Sequence, residues 1–255
     1  MPIIDAKTRR AISQRRNDAV SQSQRLEKFF SARLCVIIFI KGDFTMPKEI
    51  QPQNSNRDKA FKLWMNVPNP MVTFFKTLDV TNLIKIHKKD CLKFNMLLCY
   101  CIGKAAADIK EFFTLPVGDK LIQYDSLAVN TIVKNKIGGV SSCDILFTKD
   151  LKEFNHDYLK YTAQVAETCQ DRDLSDDFMV IGTSAIIETE LDGVIGMNSG
   201  FNNPFLFWGR YRKKQLKYYL PVSFQFHHTQ MDGSHAAEFL ENLQDEINNL
   251  REVFS

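Results

Sequence analysis

Strand-like and helix-like segments alternate over most of this chain, and that alternation restricts it to a small set of folds. The strand-like runs are rich in β-branched and aromatic residues, whereas the helical runs repeat apolar residues at intervals of three and four. The strand-like runs are 71–80, 120–124, 126–133, 140–147, 178–185, 205–212 and 218–226, and the helical runs are 81–87, 93–113, 149–169 and 234–253. The pattern predicts an α/β fold: a two-layer sandwich in which one mixed β-sheet is flanked by helices.

The first 45 of the 255 residues differ from the rest in composition. They contain nine Lys or Arg against four Asp or Glu and show little apolar periodicity. We expect residues 1–45 to be either a disordered leader or an upstream segment outside the natural protein, with Met46 as the true start. Residues 46–255 are then expected to form the folded domain.

Charge and cysteine usage exclude several classes of protein. The net charge of +3 comes from the leader alone, because residues 46–255 carry two more acidic than basic side chains. Binding to nucleic acid is therefore not expected. The six cysteines form no CxxC pair, which fits a reducing compartment, and the apolar run 34–40 is too short to cross a membrane. We predict a cytoplasmic protein.

The most informative segment is Phe224-Gln-Phe-His-His-Thr-Gln-Met-Asp-Gly-Ser-His235, where a predicted strand stops and a predicted helix starts. A neutral imidazole is the best general base available near pH 7, so His227 and His228 are candidates for catalysis. The residues alone also allow a pair of structural histidines at a turn. Asp232 has a second interpretation, as a helix cap.

The sequence His227-His228-x-x-x-Asp232-Gly233 resembles the HHxxxDG signature of the chloramphenicol acetyltransferase family. The likeness extends over nearly all of 46–255, because further landmarks of the family follow in order along the chain. They are Arg57-x-x-x-Phe61, Tyr124-Asp-Ser126, Thr183-Ser184-Ala185 and Leu220-Pro-Val-Ser-Phe-Gln225.

This resemblance implies an acetyl-CoA-dependent O-acetyltransferase with a ternary complex and no covalent enzyme intermediate. His228 would be the general base, and Ser184 would stabilise the oxyanion of the tetrahedral intermediate. Asp232 and Arg57 would form an ion pair that supports the histidine loop. A metal site built from the histidines and Asp232 is the competing interpretation of these residue types, and the resemblance argues against it.

The resemblance also implies a homotrimer with its sites at the subunit interfaces, with chloramphenicol as the first-choice acceptor and antibiotic inactivation as the role. Trp64, Ile132 and Phe207 stand where the family's acceptor-binding residues are expected, and they make the predicted pocket more apolar than usual. Two alternatives stay open: an O-acetyltransferase for a different hydroxylated small molecule, and an inactive trimeric binding protein with the same fold.

Overall fold

The structure, a computed structural model, describes residues 46–196 and 201–251. Most of its strands belong to one large sheet. These are β2 (Met71–Asp79), β5 (Leu127–Lys134), β6 (Val140–Leu146), β7 (Met179–Ile186), β8 (Phe205–Gly209), β9 (Arg212–Lys214) and β10 (Lys217–His227). A small separate sheet contains β1 (Lys48–Ile50), β3 (Thr114–Val117) and β4 (Lys120–Gln123).

Over the described residues, the large sheet has the strand order β2-β10-β8-β7-β5-β6, with β9 paired to β10. Strand β7 runs parallel to β5 and β8, and the other neighbouring strands run antiparallel. The prediction of an α/β fold with a mixed sheet is confirmed. The expected leader, 1–45, lies outside the described residues.

The helices pack mainly on one face of this sheet. They are α1 (Asp58–Trp64), α2 (Thr81–Lys89), α3 (Phe94–Ala107), α4 (Leu151–Thr168) and α5 (Gly233–Asn249). Helix α3 is buried along most of its length and packs against α5, β5 and β7, which explains its nearly continuous apolar sequence. None of the helices in the described ranges is long and apolar enough to cross a membrane.

Strand β10 separates the two faces of the sheet. Phe224 faces the helices, with its ring 4.6 Å from that of Phe239 on α5. Successive strand residues point to opposite faces. Accordingly, Ser223 accepts the N–H of Val194 and Gln225 donates to the carbonyl of Gly196 on the helix-free face. The histidine pair therefore stands at the end of a strand that has neighbours on both sides, β2 and β8.

Three predicted boundaries were wrong. The last helix, expected to reach Val253, ends at Asn249. The helix expected over 93–113 ends at Ala107, because Ile109 is extended and a short 3₁₀ turn follows. Phe112 in that turn still points into the core against Phe239, which continues the apolar periodicity beyond the helix. The strand expected over 205–212 is two strands, since the N–H of Arg210 leaves the sheet to donate to the carbonyl of Thr189.

Candidate active site

The two neighbouring histidines have different environments. His227 is the last residue of β10 and is 2% exposed, and its Nδ1 accepts the N–H of Thr229 at 3.0 Å. Burial, together with the nearby His228, lowers the pKa of His227 to about 4. His227 is therefore neutral at pH 7, with its ring committed to the turn.

His228 is held from three sides. Its backbone N–H donates to the carbonyl of Pro70, and its own carbonyl accepts Nη2 of Arg57 at 2.8 Å. The indole of Trp64 stacks on the imidazole, with ring centroids 4.7 Å apart and planes 5° apart. Nδ1 is buried without a hydrogen bond, 3.5 Å from Oδ1 of Asp232, whereas the side chain as a whole is 30% exposed. The open part of the ring is therefore the edge that carries Nε2.

Arg57 fastens the turn that follows β10. Its side chain is 5% exposed and reaches Asp232 through two hydrogen bonds, Nη1 to Oδ2 at 2.6 Å and Nη2 to Oδ1 at 3.0 Å. Nε donates to the carbonyl of Thr229 at 2.9 Å. The hydrogen bond from Arg57 lowers the pKa of the Asp232 carboxyl. This arrangement anchors both the start and the end of the turn to one planar cation.

A second layer of support was not predicted. Nδ1 of His235 accepts the backbone N–H of Asp232, and its Nε2 lies 3.5 Å from Oε1 of Glu111. The same Glu111 oxygen accepts the side-chain amide of Asn56. The sequence signal that could have indicated this contact was Glu111, an acidic residue inside an apolar run. Among the described residues, no group of three or more His, Cys, Asp or Glu could hold a metal ion.

Ser184 lies well away from His228 within one chain. Register pairs Ser184 on β7 with Phe207 on β8, and Phe207 with Ser223 on β10. Across the sheet, Ser184 is thus two strand spacings from β10. Along the strands it is level with Ser223, which lies five residues before His228. With about 4.8 Å between strands and about 3.3 Å per residue, their backbones are roughly 19 Å apart. The two side chains of one chain do not meet.

A cavity of about 570 Å³ opens on the helix-free face close to Ser184, which does not itself line it. Ile132 and Phe207 line it, as does Gly182, two positions before Ser184 on the same face of β7. Gly182 is required there, because a Cβ atom would come within 2.1 Å of the Phe205 ring. Trp64, predicted with Ile132 and Phe207 as an acceptor-binding residue, does not line this cavity and contacts His228 instead.

The sheet, the strand-to-helix turn with its exposed histidine, and the buried arginine clamp together define the class of HHxxxDG acyltransferases. A sequence model of the chloramphenicol acetyltransferase family matches residues 47–244. The chain belongs to this family and is an acyltransferase.

Individual relatives are distant. Chloramphenicol acetyltransferase 2 of Escherichia coli is 27% identical over 196 residues, covering 74% of this chain and 91% of that protein. A chloramphenicol acetyltransferase of Staphylococcus aureus is 26% identical over 205 residues, covering 78% and 94%. A solved chloramphenicol acetyltransferase superimposes with a TM-score of 0.70 at 20% identity, covering 79% of this chain and all of that one. Azotobacter vinelandii dihydrolipoamide acetyltransferase shares the fold at a TM-score of 0.56 and 17% identity, covering 82% and 91%.

Proposed function

We propose that this protein transfers the acetyl group of acetyl-CoA to a hydroxyl of chloramphenicol, with His228 as the general base. Nε2 takes the proton of the acceptor hydroxyl while the oxygen attacks the thioester carbonyl. The hydroxyl of Ser184 donates to the resulting oxyanion. Collapse of the intermediate breaks the carbon–sulfur bond, and the departing thiolate takes the proton back from His228, so the enzyme is regenerated.

The observation that carries this proposal is the fixed orientation of His228. Trp64 covers one face of the ring, Nδ1 is buried, and both backbone polar groups are hydrogen-bonded. The Nε2 edge is left for a substrate. A general base must be held within hydrogen-bond reach of one proton, and this side chain is fixed for that purpose. The named relatives favour chloramphenicol as the acceptor, and Ile132 and Phe207 supply an apolar wall for its aromatic ring.

The direct test follows thiol release from acetyl-CoA with the purified chain. We expect release that depends on chloramphenicol, with an acetylated product identified by mass spectrometry. Reactions without an acceptor control for thioester hydrolysis. Release with another alcohol but not with chloramphenicol would move the acceptor to a different hydroxylated molecule. Binding of chloramphenicol without any transfer would favour an inactive binding protein.

We also propose that the protein is a homotrimer in which His228 of one subunit faces the cavity of the next. The separation of roughly 19 Å between His228 and Ser184 in one chain supports this arrangement, because one chain alone cannot place both at one carbonyl. The helix-free face also exposes apolar side chains: Phe75 is 55% exposed and Ile132 43%. Exposed apolar surface of this kind is typical of subunit interfaces.

Mixing two inactive variants tests the shared site. His228→Ala and Ser184→Ala chains are each expected to lose at least about 10²-fold in kcat. In a trimer co-assembled from equal amounts, about a quarter of the interfaces pair an intact His228 with an intact Ser184, so about a quarter of wild-type activity should return. Each variant expressed without the other is the control. If the mixture stays as inactive as its parents, the shared site is wrong.

A further inference from the structure

The cavity beside Ser184 has an acidic wall. Asp144 on β6 lines it, together with Asp171 and Asp173 from the segment before β7. No lysine, arginine or histidine is among the lining residues in the described part of the chain. A concave site with carboxylates of one sign focuses a negative potential on whatever occupies it.

Asp144 is the deepest of the three carboxylates and is only 4% exposed. Oδ1 accepts the side-chain amide of Asn130 at 2.6 Å, and Oδ2 accepts the backbone N–H of Leu174 at 2.8 Å. Both donors are neutral, and burial raises the pKa of this carboxyl. A buried carboxylate is normally paired with a cation, yet no ion pair within 46–196 and 201–251 includes Asp144.

The nearest cation in the sequence neutralises this wall only in part: burial raises the pKa of Asp144 by more than the charge of Arg172 lowers it. Arg172 stands between Asp171 and Asp173, but its guanidinium lies over the ring of Tyr161, 3.8 Å from the ring centre. Its Nη1 donates to the backbone carbonyl of Asp144 and not to the carboxylate.

The two outer carboxylates are also only partly used. Oδ1 of Asp171 accepts the N–H of Ser142, and Oδ1 of Asp173 accepts the N–H of Ser175. Each carboxylate therefore keeps its other oxygen for a ligand. Both side chains belong to exposed residues, so they stand at the mouth of the cavity while Asp144 lies deeper.

We propose that the preferred acceptor is an alcohol that also carries a protonated amine, with the ammonium group bound by the acidic wall and the apolar part against the aromatic wall. The proposal rests on the proposed function, because it takes this cavity as the acceptor site. Phe205 and Phe207, stacked with ring centroids 4.4 Å apart, form the aromatic wall. Ammonium hydrogen bonds to carboxylates are stronger than those between neutral groups, so charge decides between alcohols of one shape. Chloramphenicol is then an acceptor without the cation that this site prefers.

Two ligands with the same diol and nitrophenyl ring provide the test. 2-Amino-1-(4-nitrophenyl)propane-1,3-diol carries a protonated amine, and its N-formyl derivative carries a neutral amide of nearly the same size in that place. We expect calorimetric titration of the full chain at pH 7 to show at least about tenfold tighter binding of the amine. Equal or tighter binding of the amide, or no binding of the amine, would overturn the proposal.

The double variant Asp171→Asn, Asp173→Asn locates the effect. Asparagine keeps the Oδ1 acceptor that each loop hydrogen bond uses, and it removes the charge. Binding of the amine should fall about tenfold, whereas binding of the amide should change less than about twofold. The matched control is Glu238→Gln, Asp245→Asn, which removes two exposed charges from α5 on the opposite face. A similar loss in the control would mean that net charge, and not this wall, is responsible.

This binding test is independent of catalysis. If the protein acetylates chloramphenicol but binds the amine no better, the inference fails and the proposed function stands. If the amine binds through Asp171 and Asp173 but neither compound is acetylated, the proposed function fails and the charge preference of the cavity stands.

Discussion

Replacing His228 with alanine should lower kcat for acetyl transfer by about 10²- to 10⁴-fold, the range that a positioned general base contributes. The loss should not reflect misfolding. The contacts that fasten residue 228 use its backbone N–H and carbonyl, and its Nδ1 makes no hydrogen bond that alanine would remove. Initial rates of thiol release at saturating acetyl-CoA and acceptor measure the change directly.

His156→Ala is the matched control for His228→Ala. His156 is exposed on α4, which packs on the helix-covered side, and its loss should leave kcat within about twofold of wild type. The thermal unfolding temperature of both variants shows whether they are folded. A folded His228→Ala protein that keeps its activity would remove this histidine from the mechanism.

The sequence predicted the fold where periodicity and tertiary packing agree. Strand β2 was expected over 71–80 and ends at Asp79, and α5 was expected from Ser234 and begins at Gly233. Prediction failed where an irregular segment buries apolar residues. Phe112 follows helical spacing although it lies in a 3₁₀ turn. Its ring packs in the core against Phe239, and a buried apolar side chain gives the same sequence signal in either kind of helix.

Residues near one another in the structure were easiest to pick out where one short motif contains them. His228, Asp232 and Gly233 stand in one short segment, and Arg57 was found only through the family pattern. The stack of Trp64 on His228 and the contact between Glu111 and His235 join residues far apart in the chain. The acidic wall likewise combines a strand residue with a loop, and no spacing rule brings Asp144 next to Asp171 before the sheet exists.

The Asp232→Asn substitution should lower the free energy of unfolding by about 3 kcal/mol. It leaves the guanidinium of Arg57, 5% exposed, with carbonyl and amide partners but no compensating charge. The side chain of Asp232 is 46% exposed, and screening by water sets the effect at the lower end of the range for buried pairs. Urea unfolding at one protein concentration measures it.

Asp58→Asn is the control, because it breaks a more exposed ion pair with a similar N–O distance. Asp58 and Lys62 are 2.6 Å apart on α1 with side chains 32% and 71% exposed, and such a pair contributes less than about 1 kcal/mol. Equal losses in the two variants would show that the Arg57 clamp adds nothing beyond a surface ion pair.

The pH dependence of the difference between wild type and Asp232→Asn provides a second measurement. The hydrogen bond from Arg57 holds the pKa of the Asp232 carboxyl below its ordinary value of 3.8. A carboxyl with a lowered pKa in the folded state stabilises the protein above the unfolded pKa, and this contribution is lost as the pH falls through the folded pKa. The advantage of the wild type should therefore be constant from pH 7 to about pH 5 and should shrink below pH 3.8. A difference that persists undiminished in acid would mean that the variant is destabilised by packing, because the other carboxyls are common to both proteins and their titration largely cancels in the difference.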